Sequence, residues 1–399
     1  MNLFLFTANF PFGKSEAFIE NEINILSNKF NKVFIFPNCG KGNKRDIPDN
    51  VEVILLNEEY RRSVVLKSDL SLILSILIKE NILKSCMKNN FRETLSYLLR
   101  LVFKSYLLNE WISKHNSNNT IYYSYWFDDW ATILSVLKFK KIIPDFISRA
   151  HGFDLYDYRS DSEKIKFRKF QMETVKNIFT VSKDGEAYLK QTFPKYSKKV
   201  LQSYLGTKDF GLSLYKPSKT LKILTISNVY PLKRIHLLIE ALQFVNIKVE
   251  WTHFGDGILI EEIKEIANRL PKNIICYFKG QKSNYILLNY IKNHHFDVFI
   301  NLSKFEGLPV SIIEAISFGI PVFATDSGGT KEVVNYNTGK LFKNNFKIED
   351  LSVSLNNFLQ SEYSQFTFRE GVREFWLKNF DAKKNYEDFI VELKSTYFN

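Results

Sequence analysis

Two carboxylates bracket the start of a helix in Phe305-Glu306-Gly307-Leu308-Pro309-Val310-Ser311-Ile312-Ile313-Glu314-Ala315. A carboxylate has two acceptor oxygens and can take both hydroxyls of a sugar or ribose diol. Pro309 suits the first turn of a helix, where its missing N–H would have had no partner. Gly307 and Leu308 then present backbone N–H groups at a helix N-terminus, which is a natural seat for a diphosphate. The blander reading is two unrelated acids flanking a capped helix. A second constellation, Ser227-Asn228-Val229-Tyr230-Pro231-Leu232-Lys233-Arg234, ends a strand, carries two cations and opens a helix. Cations there would neutralise the charge left on a departing nucleoside diphosphate, whereas an isolated Lys-Arg pair also reads as solvated surface.

Weaker signals lie elsewhere. Phe254-Gly255-Asp256-Gly257 and Gly328-Gly329 are tight turns that need positive φ or close backbone approach. Gly13, in Phe10-Pro11-Phe12-Gly13-Lys14-Ser15-Glu16, would let backbone meet phosphate, although Pro-Phe-Gly is also an ordinary turn. His151, in Ala150-His151-Gly152, falls at the carboxyl end of a strand, where ligands of open α/β sheets gather. His115, His236, His253, His294 and His295 lack that placement and read as structural or exposed. No Asp-x-Asp pattern is present, Asp128-Asp129 being the nearest approach, so no metal site is expected. The three cysteines, Cys39, Cys86 and Cys276, form no CxxC and no Cys/His cluster.

The elements that must position these residues alternate regularly. Short apolar runs at 3–7, 32–37, 51–55, 120–124, 146–150 and 178–181 read as buried strands, with helix-length patterns at 16–29, 91–115 and 184–192. The pattern breaks near 211–220, at Tyr215-Lys216-Pro217-Ser218, and restarts with strands at 221–227, 249–254, 274–278, 298–301 and 321–325. Helices at 234–244 and 258–270 interleave. Alternation of this kind implies parallel strands with right-handed helical crossovers. The expected class is α/β, as two doubly wound domains over 1–212 and 220–380. Ligands of such sheets bind beyond the strands' carboxyl ends, so two domains predict a cleft between facing strand ends. Residues 60–115 depart from the scheme, with ten Lys+Arg against four Asp+Glu and with Leu70, Ile73, Leu74, Leu77 and Ile78 on one helical face. That segment reads either as a helical layer packed on the sheet or as a surface that docks on a membrane or lipid-linked acceptor.

Composition excludes several classes. Of 399 residues, 45% are hydrophobic and 25% charged, which argues against disorder. The longest apolar stretch, near 70–78, is well short of the ~20 residues a spanning helix needs, and the first residues read as a buried strand rather than a leader. Together with the cysteine pattern this predicts a cytoplasmic location. The net charge of +12 is uneven: residues 1–212 hold 32 Lys+Arg against 23 Asp+Glu. It fits attraction to an anionic membrane face or phosphate-bearing ligands, or simply a solvated basic surface. No nucleic-acid reader motif is present.

Taken together, the motifs resemble glycosyltransferase family 4, retaining enzymes of the GT-B fold. The likeness runs through 228–242, Gly255-Asp256-Gly257, Glu306 to Glu314, Ser317-Phe318-Gly319-Ile320-Pro321-Val322 and Gly328-Gly329 to Gly339. It continues more thinly through 10–22, 122–126 and Ala150-His151-Gly152. It is strongest to the bacterial branch that builds capsule, exopolysaccharide or lipopolysaccharide. The resemblance implies transfer of a hexose from a nucleotide-sugar to a hydroxyl of a growing, lipid-linked glycan, with retention and without metal or other cofactor. It places Glu306 and His151 beside the transferred sugar, Glu314 on the ribose, Lys233 on the diphosphate with Gly307 and Leu308, and Gly13 near diphosphate and acceptor. It also implies that residues 381–399 form a helix returning to the N-terminal domain. The sequence departs from the family at Asn228, where an Arg is usual, and at Arg234, where a Gly is usual, which makes Arg234 the candidate for the missing cation. Two rival classes are an epimerase of nucleotide-sugars on the same fold, whose catalytic pattern is absent, and a basic membrane or nucleic-acid adaptor, which would leave Glu306 and Glu314 unexplained.

Overall fold

The computed structural model describes residues 1–13, 16, 18–56, 62–82, 91–115, 119–159 and 164–398. Lys84, Cys86 and Lys88, part of the basic segment singled out above, lie outside the described residues. The chain divides into two compact units, Met1–Ser203 with Tyr386–Asn399, and Tyr204–Asn385. The division falls earlier than the polar linker at 211–220. Thr207, before that linker, already bonds within the second unit, its N–H donating to the Phe380 carbonyl, and so does Ser213 near the linker's start, whose N–H donates to the Phe318 carbonyl.

The first unit is a seven-stranded parallel sheet in the order β3-β2-β1-β4-β5-β6-β7. Its strands are β1 (Asn2–Thr7), β2 (Lys32–Pro37), β3 (Val51–Val53), β4 (Thr120–Ser124), β5 (Ile147–Ala150), β6 (Asn177–Thr180) and β7 (Val200–Gln202). The strands β4 and β5 are buried throughout because helices cover both faces. Strand β7 has no sequence signal of its own, since three residues with only Val200 buried are too few for a periodicity.

The basic helical segment divides in two. The helix Phe91–Lys114 sends Trp111 into the core, against Phe4, Phe34 and Phe36 at 5.1–5.3 Å between ring centroids. The helix Arg62–Lys79 buries Leu72, Ile73, Ile76 and Leu77, but leaves Leu70, Leu74 and Ile78 exposed. The single apolar face expected of it is therefore two faces. Asp69 breaks the helical geometry (φ −135°, ψ 25°) and is buried, where it accepts from Tyr106 Oη and, at 2.7 Å, from Lys140 Nζ. That anchor sets the rotation of the turns that follow. The helix Ala382–Phe398 places Phe389, Ile390, Leu393 and Tyr397 in the core of the first unit.

The second unit is a six-stranded parallel sheet in the order β10-β9-β8-β11-β12-β13. Its strands are β8 (Thr220–Ile226), β9 (Lys248–Phe254), β10 (Ile274–Phe278), β11 (Val298–Asn301), β12 (Val322–Thr325) and β13 (Gly339–Phe342). Strand β13, also unforeseen, pairs so closely with β12 that a Cβ on Gly339 would stand 1.9 Å from the Val322 carbonyl oxygen. In both sheets the strand order reverses direction once, between β1 and β4 and between β8 and β11. A doubly wound sheet opens a crevice at that switch point, beyond the carboxyl ends of the strands.

Candidate active site

Lys233 follows β8 and Glu306 follows β11, so the two flank the switch point of the second unit. The Lys233 ammonium donates to Glu306 Oε1 at 2.6 Å, and the two side chains keep 27% and 13% of their surface exposed. Asn301, the last residue of β11, reaches the same oxygen weakly at 3.4 Å. Thr225, Ser227 and Ser303 line the cleft beside Lys233 and Asn301. An ammonium has three donors and a carboxylate four acceptor positions, so one contact between them leaves both able to meet a ligand.

The loop that carries Glu306 is held on every side. Thr325 Oγ1 donates to the Ser303 carbonyl at 2.7 Å, Asn344 Nδ2 to that of Lys304 at 2.9 Å, and Lys304 N–H to that of Leu232 at 2.8 Å. Gly328 has φ +54°, and a Cβ there would stand 2.0 Å from the Glu306 carbonyl oxygen, so only glycine permits the approach. Gly329 N–H then donates to the Gly307 carbonyl at 2.9 Å. Gly255 does the same for the loop after β8, where a Cβ would fall 1.8 Å from the Ser227 carbonyl oxygen.

The helix of the paired glutamates runs Val310–Ser317, with Pro309 as its N-cap (φ −77°, ψ 97°) rather than in its first turn. Glu314 therefore stands just over one turn in. It is buried, and accepts from Asn284 Nδ2 at 2.7 Å. Burial pushes its carboxyl up to about 7, against the opposing pull of that amide. Asn284 opens the helix Asn284–Asn293 and gave no signal in the sequence, being one polar residue among many at a helix start.

Arg234, the candidate for the missing cation, is held by backbone carbonyls. Its guanidinium donates to the carbonyls of Leu302 at 2.6 Å, Asn344 at 2.8 Å and Ser303 at 3.4 Å. These contacts hold the backbone on either side of the loop that carries Glu306. Arg234 also takes φ +48°, the left-handed region that glycine adopts freely. The three carbonyl contacts offset the strain of an arginine there. Asn228 is exposed, in a loop whose next residue, Val229, donates to the Asp256 carbonyl at 2.9 Å. Gly307 and Leu308 lie directly before the Pro309 cap, with Leu308 buried.

In the first unit Gly13 has φ +66° and accepts from Arg45 Nε at 2.8 Å. The carboxylate of Glu16 takes the backbone N–H groups of Ala8, Asn9 and Phe10 at 2.6–3.0 Å, and also the Trp126 indole N–H. It thus ties the loop after β1 to the loop after β4. His151 is buried beside Trp126 and Tyr125, at 4.3 and 5.1 Å between ring centroids, and burial lowers its pKa. Its Nδ1 lies 3.6 Å from Asp154 Oδ2, and its backbone N–H donates to Asp154 Oδ1 at 2.8 Å. Two residues before it, Arg149 pairs with Glu22 at 2.9 Å with both side chains wholly buried.

Residues 213–375 match the family model described as Glycosyl transferases group 1. Two uncharacterized glycosyltransferases of Methanocaldococcus jannaschii are similar to the chain. One is 26% identical over 269 residues, covering 66% of this chain and 70% of the relative. The other is 35% identical over 81 residues, 20% of this chain and only 19% of the relative's length. The comparisons support a glycosyltransferase. Among solved structures, Anabaena Alr3699/HepE in complex with UDP aligns with a TM-score of 0.70 at 14% identity, covering 99% of this chain and 100% of that one. The lipopolysaccharide outer core galactosyltransferase WaaB aligns at 0.71 and 16%, covering 98% and 99%. At such identities the likeness concerns the fold, two parallel-sheet Rossmann-like units of the GT-B type. Among the described residues no helix is long and apolar enough to cross a membrane, and no group of three or more His, Cys, Asp or Glu is arranged to hold a metal.

Proposed function

We propose that the chain transfers a hexose from a nucleotide-sugar to a hydroxyl of a growing, lipid-linked surface glycan, with retention at the anomeric carbon and without a metal. The observation that carries this reading is the Lys233–Glu306 pair, partly open to solvent at the switch point of the second unit. Lys233 and the backbone N–H groups before the helix Val310–Ser317 bind the diphosphate, Glu314 takes the ribose diol, and Glu306 meets the sugar. His151 and Gly13 are assigned to the transferred sugar and the diphosphate by resemblance. In the reaction the bond from the anomeric carbon to the phosphate oxygen breaks, and the acceptor oxygen bonds to that carbon from the same face. The acceptor proton passes to the departing phosphate oxygen. Lys233 stabilises the negative charge that grows there, the task a divalent cation performs elsewhere.

UDP-sugars are the first donors to test, because HepE has been seen with UDP. A panel of nucleotide-sugars is scored by donor hydrolysis and by thermal shift, in excess chelator. A ligand at 100 times its Kd adds about 2.7 kcal/mol. One nucleotide-sugar should stabilise the protein and turn over with chelator present. A strict need for Mg²⁺ or Mn²⁺, or no response to any nucleotide, contradicts the reading. Membrane association belongs to the same proposal, through the exposed Leu70, Leu74 and Ile78. Binding to anionic vesicles should then fall between low and physiological salt and fall further in Leu74→Ser.

A further inference from the structure

The chain leaving β10 reaches the helix that carries Glu314. Gly280 (φ +64°) turns out of the strand, and its carbonyl accepts from Gly255 N–H at 3.1 Å, which ties this loop to the one after β9. Leu287, Leu288 and Ile291 then anchor the helix Asn284–Asn293 by burial. The helix Val310–Ser317 is anchored separately, through Ile312, Ile313 and Ile316, so the core fixes its rotation as well. Two independently held helices thus bring one side chain of each together: Asn284 Nδ2 donates to Glu314 Oε1 at 2.7 Å.

That amide is the one hydrogen-bond donor the Glu314 carboxyl meets among the described residues. Oε2 has no partner there, and unlike the orphan ring nitrogens of His151 it is not sealed from solvent. A carboxylate held on one oxygen by a fixed amide has its plane set, and its other oxygen points in a defined direction. The amide also favours the ionised form, against the burial that holds this carboxyl up to about 7. Burial and this amide are the two influences on it, with no charged side chain between them. Ionisation bears on the site because a protonated carboxyl commits one oxygen to its own hydrogen, whereas a carboxylate accepts from both hydroxyls of a diol.

We propose that Asn284 is a positioning residue of the donor site, setting the plane of the Glu314 carboxylate so that its free oxygen meets a ribose hydroxyl, and that it thereby makes the site select ribonucleotides over deoxyribonucleotides. The proposal rests on the reading of Glu314 as the ribose ligand. The test is calorimetry on the full chain at pH 8, titrated with UDP, 2′-deoxy-UDP and 3′-deoxy-UDP, or the same three forms of whichever nucleoside diphosphate the donor panel selects. The wild type should bind UDP about ten-fold or more tightly than at least one deoxy form. Glu314→Gln should lose most of that preference, as the reading requires. Asn284→Ala should lose it too, and so should Asn284→Asp, which keeps the shape but replaces the donor with an acceptor. Adding Asn284→Ala to Glu314→Gln should cost nothing further, because the two act as one unit. A residue that only supports its helix would raise the Kd of all three nucleotides together and leave their ratios as in the wild type. That result would overturn the proposal while the Glu314 reading stands, and so would losses that multiply in the double variant. If Glu314→Gln keeps the wild-type preference, or the wild type shows none, the Glu314 reading fails and the proposal with it.

Discussion

Each unit carries a carboxylate at the point where its strand order reverses, and the two carboxylates are used in opposite ways. In the first unit Glu16 bridges the loops after β1 and β4 and is filled by four N–H donors of the protein itself. In the second, Glu306 bridges the loops after β8 and β11 through one ammonium and one distant amide, and stays partly in water. The same topology thus yields a closed brace in one unit and an open contact in the other. What separates them is how many donors the backbone already supplies, and a carboxylate with unfilled acceptor positions is the one a ligand can use.

The contrast should appear first in stability. Glu16→Ala leaves several backbone N–H groups and the Trp126 indole without an acceptor, at about 1–3 kcal/mol for each that stays buried. A loss of about 3–5 kcal/mol in urea unfolding is expected. Glu306→Ala breaks one charged hydrogen bond in a pair that is only partly exposed, for which a smaller loss of about 1.5–3 kcal/mol is expected. Equal losses in the two variants would remove the distinction.

A smaller effect concerns pH. The Glu314 carboxyl keeps its proton in the folded protein to about pH 7, whereas its ordinary pKa is 4.5. Its contribution to stability is therefore complete below 4.5 and is lost as pH rises toward and through 7, by up to about 3 kcal/mol. Glu314→Gln is neutral at every pH, so the difference in stability between variant and wild type should shift toward the variant across that window. Urea midpoints at pH 4.5 and 8 check this, and a constant difference would mean that the carboxyl is not held up by burial.

Smaller again, Gly328→Ala places a methyl group against the Glu306 carbonyl and strains a left-handed residue, at about 1–3 kcal/mol. It should weaken nucleotide binding by more than its stability loss accounts for, because the displaced loop carries the proposed site. Gly371→Ala, where nothing lies within 4 Å of the added carbon, is the control for substitution alone.

The comparison also marks where the sequence could be read. Buried central strands announce themselves as apolar runs, and Glu306, Glu314 and Lys233 stand in motifs that the family resemblance, more than spacing, makes candidates for a site. Short edge strands such as β7 carry too few residues to show a period. The three carbonyls that Arg234 meets, two from the loop after β11 and one from residue 344, more than a hundred positions away, are not legible in the sequence. Glu16 and Asn284 were missed for the same reason, since their partners are brought to them only by the fold. The helix Arg62–Lys79 was misread because periodicity gives the spacing of an apolar face, but not the rotation that the buried Asp69 imposes.

The central claim is that the second unit holds the donor with its two glutamates in different roles, Glu314 on the ribose and Glu306 on the sugar. Ribose hydroxyls do not change as the sugar leaves, so Glu314 contributes uniform binding, whereas the contact of Glu306 strengthens as positive charge grows on the anomeric carbon. The decisive measurement is calorimetry with UDP, or whichever nucleoside diphosphate the panel selects, paired with steady-state kinetics on Glu306→Gln and Glu314→Gln at pH 8. A hydrogen bond to a charged group is worth roughly 1.5–3 kcal/mol, or about 10- to 150-fold. Glu314→Gln should raise both the nucleotide Kd and the donor KM by such a factor with kcat largely kept. Glu306→Gln should lower kcat by a similar factor and leave the nucleotide Kd nearly unchanged. If Glu306→Gln abolishes nucleotide binding while Glu314→Gln only slows turnover, the roles are reversed, and if neither variant changes binding or rate the donor is held elsewhere.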